Sequence, residues 1–140
     1  MTEGSVRLKV RYSETDQMGI VHHPHYLVWC EIGRTELMRQ LGHAYADIER
    51  DGTLLAVAEV SLRYARAARY DDDIRIITRI DAVQSRTITF SYRVLRERGP
   101  ELELLATAVT KLIAIDRNGV SKRLPPELLQ KFRETTLTSV

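Results

Sequence analysis

Two carboxylates and three histidines crowd into one short connection, Tyr12-Ser13-Glu14-Thr15-Asp16-Gln17-Met18-Gly19-Ile20-Val21-His22-His23-Pro24-His25-Tyr26. The connection runs into His25 to Leu41, which has no further proline and stops before Gly42, so the spacing predicts a long helix with Pro24 in its first turn. A helix start offers unpaired N–H groups and a partial positive charge, which polarise a carbonyl or hold an oxyanion. A carboxylate a few residues upstream could sit opposite that point and act as base or nucleophile. Gly19 would let the loop turn sharply between the two. On spacing alone Asp16 fits an ordinary turn or cap residue as well as a catalytic carboxylate. His23 likewise fits a solvated neighbour of the helix cap, and His22 and His25 read as exposed or interface residues.

Other chemistries find less support. The H-H-x-H cluster suggests a metal, but zinc needs three or four ligands around one centre. Adjacent histidines entering a helix do not converge easily, and no second cluster exists, so the expectation is no metal and no cofactor. Cys30 falls on an apolar side of the helix, where a thiol is inert packing. No G-x-S-x-G elbow, Walker loop or G-x-G-x-x-G is present.

The flanking elements must position this connection. Val6 to Tyr12 alternates, with Val6, Leu8, Val10 and Tyr12 on one side, and predicts a half-buried strand. The helix is not cleanly two-faced: Tyr26, Trp29, Cys30, Gly33, Leu37 and Leu41 share one side, while Leu27, Val28, Ile32 and Met38 populate the other. Such a helix is expected to be enclosed on several sides, its charges paired or at an interface. Four strands follow: Ala58–Tyr64, Ile74–Asp81, Ile88–Val94 and Leu102–Asp116, the last apolar on both faces and therefore central or at an interface. Arg98-Gly99-Pro100 and Asp116 to Gly119 mark turns, and Pro125-Pro126-Glu127 opens a short helix through about Arg133. Closely spaced strands favour an antiparallel sheet, and the long helix must cover one face. The fold class is α+β, a sheet wrapped around a helix.

Composition bounds the rest. The 140 residues form a single domain, 44% hydrophobic and 29% charged, in the ordinary globular range. Its 21 basic and 19 acidic residues leave +2, spread along the chain, which argues against nucleic acid as partner. No stretch reaches the length of a membrane span, and the first ten residues do not read as a signal peptide. With Cys30 alone no internal disulfide can form, so a cytoplasmic location is expected. Seventeen of the basic residues are Arg and four are Lys. That excess fits either genomic base composition or arginines that fork phosphate and carboxylate groups.

The run T-D-x-M-G-I-V-H-H-P-H-Y at 15–26, followed by W-x-E-x-x-R-T-E-L-M-R at 29–39, closely resembles the hotdog-fold acyl-CoA thioesterases of the 4-hydroxybenzoyl-CoA thioesterase family. The nearest branch is that of the Tol-Pal-associated thioesterases. Y-A-R-A-A-R-Y-D-D at 64–72 and R-T-I-T-F-S-Y-R-V at 86–94 match too, so the resemblance covers essentially the whole chain. It implies a five- to six-stranded antiparallel sheet around a long central helix. It also implies hydrolysis of an acyl-CoA thioester, CoA being part of the substrate.

Carried over by position, the resemblance makes Asp16 the catalytic carboxylate. His23 supplies the backbone N–H aimed at the carbonyl, and Tyr12 supports the site. Gly19 and Val21 belong to the substrate loop, and Arg66, Arg69 and Arg86 are candidates for the CoA channel. Pro24 departs from the small residue common in the nearest branch. Dimers or tetramers with sites at the dimer interface are implied, and such pairing would cover exposed sheet edges. Hotdog domains also serve as non-catalytic acyl-CoA or acyl-carrier-protein binding modules, which is the alternative reading.

Overall fold

The computed structural model describes residues 3–137. In chain order it contains β1 (Glu3–Lys9), a 3-10 turn (Tyr12–Glu14), α1 (His25–Gln40), α2 (Tyr45–Arg50), β2 (Leu54–Tyr64), β3 (Asp73–Val83), β4 (Thr87–Arg98), β5 (Glu101–Ile115) and α3 (Pro126–Leu137). The strands form one sheet in the order β1-β3-β4-β5-β2, with every pairing antiparallel. Helix α1 lies across β1, β3 and β4, and α3 rests on β3. This is the sheet-around-a-helix arrangement of the hotdog fold, here with five strands.

Alternation decides which side of each strand faces α1. Along β4, Ile88, Phe90, Tyr92 and Val94 are buried, while Thr87, Thr89, Ser91 and Arg93 face outward. On β5 the buried positions include Ala106, Ala108 and Ala114. Strand β2 closes one side of the sheet, and its free edge carries exposed Val57, Val60 and Tyr64. Strand β1 stops earlier than alternation suggests. Glu14 accepts a hydrogen bond from the Arg11 N–H (2.8 Å), and the Glu14 N–H donates to the Arg11 carbonyl (3.0 Å). These bonds curl the chain into the 3-10 turn, so Tyr12 is 77% exposed instead of facing the core.

Tyr26, Trp29, Cys30, Gly33, Leu37 and Met38 of α1 are buried, whereas Leu27, Val28 and Ile32 stay exposed. The helix is therefore enclosed on one side within a single chain, not on several. Its C-terminus is stopped by Gly42 at φ 90°, with Gly42 N–H bonded to Arg39 O (3.0 Å) and His43 N–H to Met38 O (2.9 Å). Those two bonds are the paired closure that glycine makes possible at a helix end.

Gly33 sets how closely α1 approaches the sheet. A Cβ there would stand 2.8 Å from Ile76 Cγ2 and closer still to the Thr78 hydroxyl, both on β3. Gly33→Ala is expected to destabilise the fold by about 2 kcal/mol through overpacking, read as a lower urea midpoint at unchanged slope.

Candidate active site

The connection after β1 folds as a small hairpin. Thr15 pairs with Val21, the Asp16 N–H donates to Ile20 O (2.9 Å), and the Gly19 N–H donates to Asp16 O (3.0 Å). Gly19 at φ 78° supplies the left-handed residue such a turn needs. The Asp16 side chain accepts the Met18 N–H at 2.8 Å, so Asp16 is a turn residue here, half-buried at the hairpin tip. One of its oxygens remains available for chemistry, because no second bond occupies it among the described residues.

The return limb leads directly to the start of α1. The N–H groups of His25, Tyr26 and Leu27 are already taken by the carbonyls of His22 (3.1 Å), His23 (3.3 Å) and Pro24 (3.1 Å). Pro24 has no N–H to offer. The His23 N–H is left without a hydrogen bond among the described residues. The Tyr64 hydroxyl donates to the His23 carbonyl at 3.1 Å, which fixes the orientation of that residue. A donor held in place and not yet used is what an oxyanion site requires.

Glu14 ties the hairpin to the helix. Its side chain is 3% exposed and accepts the Trp29 indole N–H at 2.9 Å and the Arg11 N–H at 2.8 Å. The Arg11 guanidinium lies 3.6 Å away and His25 Nδ1 4.0 Å away. Burial pushes this carboxyl up, but the Arg11 and Trp29 donors and the Arg11 charge outweigh it and hold the group below its ordinary range.

Segment 65–72 forms the opposite wall. The Val21 N–H donates to Ala68 O (2.9 Å), and the buried Tyr26 hydroxyl accepts the Ala68 N–H (3.0 Å). Arg96, 6% exposed, reaches up from β4 to Asp72 (2.7 Å), Glu103 (2.6 and 2.8 Å) and the Ala67 carbonyl (3.2 Å). Asp72 in turn accepts the Arg69 N–H (2.8 Å), and Glu103 also pairs with Arg66 at 3.3 Å. Burial works against the charge on Arg96, but the Asp72 and Glu103 carboxylates outweigh it and raise its pKa, while Arg96 lowers that of Glu103.

Between the walls lies a cleft of about 280 Å³, lined by Ile20, Val21, His23, Tyr26, Tyr64 and segment 65–67. The structure thus gathers Val21, His23 and Arg66. Asp16 and Gly19 stand beside the cleft on the hairpin, outside its lining. Arg69 pairs with Ile20 through the backbone, with its side chain exposed. Tyr12 packs edge-on against Tyr70 (5.6 Å) at the outer margin.

Arg86 is not brought in. It sits in the β3–β4 turn beside Ser121 (3.4 Å), next to the Thr87–Ile113 pair, while Tyr64 pairs with Ala106. That places Arg86 about 23 Å along β5 from the cleft. The three histidine rings pack edge-on (4.9 and 6.3 Å), and no group of three or more metal-ligating side chains gathers among the described residues. Cys30 is fully buried, and burial pushes its pKa up to about 12. Missed by the sequence reading were Glu14, Tyr64, Arg96 and Glu103. Glu14 and Tyr64 lay within the motifs already quoted and Glu103 within the last predicted strand, but none was given a role there.

Residues 10–132 match the thioesterase-like superfamily. The Bacillus subtilis protein YneP is 36% identical, over 80% of this chain and 79% of that one. The acyl-CoA thioesterase YbgC of Haemophilus influenzae is 30% identical over 80% of each. The crystal structure of DHNA-CoA thioesterase from Staphylococcus aureus superposes with a TM-score of 0.92 at 26% identity, covering 98% of this chain and 93% of that one. Sequence match, strand order and the hairpin entering α1 agree, and this chain belongs to the thioesterase-like superfamily of hotdog-fold proteins.

Proposed function

We propose that this protein hydrolyses acyl-CoA thioesters to the free acid and CoA. The observation that carries the reading is the unused N–H of His23, a residue at the start of α1 that lines an apolar cleft beside the hairpin bearing Asp16. The thioester carbonyl would lie against that N–H, which takes up charge as the carbon becomes tetrahedral. Asp16 either attacks the carbonyl, giving an acyl anhydride that water then cleaves, or draws a proton from an attacking water. In both courses the C–S bond breaks and CoA leaves as a thiolate. No cofactor is called for, and a cytoplasmic setting fits a chain whose single cysteine can form no internal disulfide.

Arg66 lines the cleft and the exposed Arg69 lies three residues further along the same wall, where the CoA phosphates would emerge. Arg66→Ala is expected to raise KM for acyl-CoA about five- to tenfold with little change in kcat, since Glu103 keeps its bond to Arg96. Arg86 fits the CoA channel only through a second copy. The unpaired β2 edge, apolar on its inner side, supports an antiparallel pairing that brings the Leu54 end of one β2 to the Tyr64 end of the other. A dimer, alone or within a tetramer, is the assembly this reading requires.

The Asx turn of Asp16 also suits a module that binds acyl-CoA or acyl-carrier protein without cleaving it. Release of free thiol from short, aromatic and long-chain acyl-CoAs separates the two. CoA binding without thiol release would replace hydrolysis by the binding module.

A further inference from the structure

We propose that Glu14 is a positioning residue for the reaction, acting through Asp16; this rests on the thioesterase reading above. Among the described residues, Asp16 makes no side-chain hydrogen bond outside its own turn, accepting only the Met18 N–H two residues on. Its placement relative to the His23 N–H is therefore inherited from the limbs of the hairpin. The return limb is held by backbone bonds to segment 65–72. On the outgoing limb the work falls to residue 14. Its carbonyl accepts the His22 N–H at 2.8 Å, which sets the spacing of the two limbs just before the helix. Its carboxylate accepts the Arg11 N–H with one oxygen and the Trp29 indole N–H with the other. Among the described residues, the Glu14–Trp29 bond is the one side-chain hydrogen bond between this limb and α1.

A buried carboxylate with a donor on each oxygen has a fixed position, and two residues later the chain delivers the Asp16 carboxylate. Sub-ångström placement matters for a group that attacks or deprotonates, because rate depends steeply on approach geometry. A neutral amide in the same place accepts only one of the two N–H groups and turns its own NH₂ toward the other. The hairpin would then have to shift to relieve that clash.

The test compares steady-state acyl-CoA hydrolysis by wild type, Glu14→Gln, Trp29→Phe and the double variant, with thermal melts alongside. The expected result is a fall in kcat of about ten- to a hundredfold for Glu14→Gln with KM within about twofold. A smaller fall is expected for Trp29→Phe, which removes only the Glu14–Trp29 bond, and the two changes should lower kcat by less than the product of their separate effects, because both act on the one carboxylate. A purely structural role would lower the melting temperature and leave kcat per folded enzyme unchanged, and that outcome overturns the proposal. If Glu14→Gln does not fold, Trp29→Phe decides by the same division of kcat from KM. Absence of thiol release from wild type would instead overturn the thioesterase reading itself.

Discussion

Asp16→Asn is expected to lower kcat for acyl-CoA hydrolysis by about 10²- to 10⁴-fold while leaving KM near its wild-type value. The substitution isolates the chemistry because the amide keeps the oxygen that accepts the Met18 N–H, so the hairpin tip can close as before. The backbone bonds between Asp16, Gly19 and Ile20 do not involve the side chain at all. What is lost is the negative charge. An amide neither attacks a thioester carbonyl nor takes a proton from water at neutral pH. The measurement is thiol release under saturating acyl-CoA, with the melting curve as a control for folding. A folded variant with wild-type kcat would remove Asp16 from the mechanism and return it to the turn residue its local bonds describe.

The largest stability effect is expected at Arg96. Arg96→Met keeps much of the aliphatic bulk but leaves Asp72, Glu103 and the Ala67 carbonyl without their shared donor. Removing one member of a buried ionic cluster costs more than the cluster contributes, because the remaining charges stay desolvated. The side chains of Asp72 and Glu103 are 19% and 30% exposed, so water can relieve part of that cost. The expected loss is about 3 kcal/mol, at the low end for such sites, read as a shift of the denaturant midpoint. Activity should fall with it, since segment 65–72 carries Arg66 and one wall of the cleft. Arg96→Lys keeps the charge but not the fork, and is expected to recover only part of the loss. An unchanged midpoint in Arg96→Met would mean that the carboxylates are served equally well by water.

These two positions also mark where the sequence was and was not legible. Asp16, Gly19 and His23 stood out because they sit within eight residues of one another, on a connection that must enter a helix, while their roles and that of Val21 came from the family resemblance. The alternation of Ile88, Phe90, Tyr92 and Val94 announced β4 equally plainly, since only one face of that strand meets α1. Arg96 lies two residues beyond the predicted end of that strand and drew no reading. Its importance comes from Asp72, 24 residues earlier, and Ala67, 29 earlier, and no local pattern carries that information.

Glu14 was counted as one of two carboxylates in the connection and given no role of its own, because its partner Trp29 lies fifteen positions on, across the hairpin. Helix α2, six residues long, is too short to show a 3.6-residue period and went unread. The exposed side of α1 was misjudged for a different reason. Leu27, Val28 and Ile32 were expected inside because they are apolar, and within one chain they remain 37%, 43% and 41% exposed.

The burial of Cys30 has a practical consequence. A protonated thiol with no solvent-accessible surface does not react with disulfide chromogens, so the folded enzyme contributes no signal of its own when such a reagent counts released CoA. Unfolding exposes one thiol per chain, and the same reagent then reports the unfolded fraction. Turnover and conformational opening can therefore be followed in a single cuvette, with one colour standing for product in the first minutes and for lost structure thereafter.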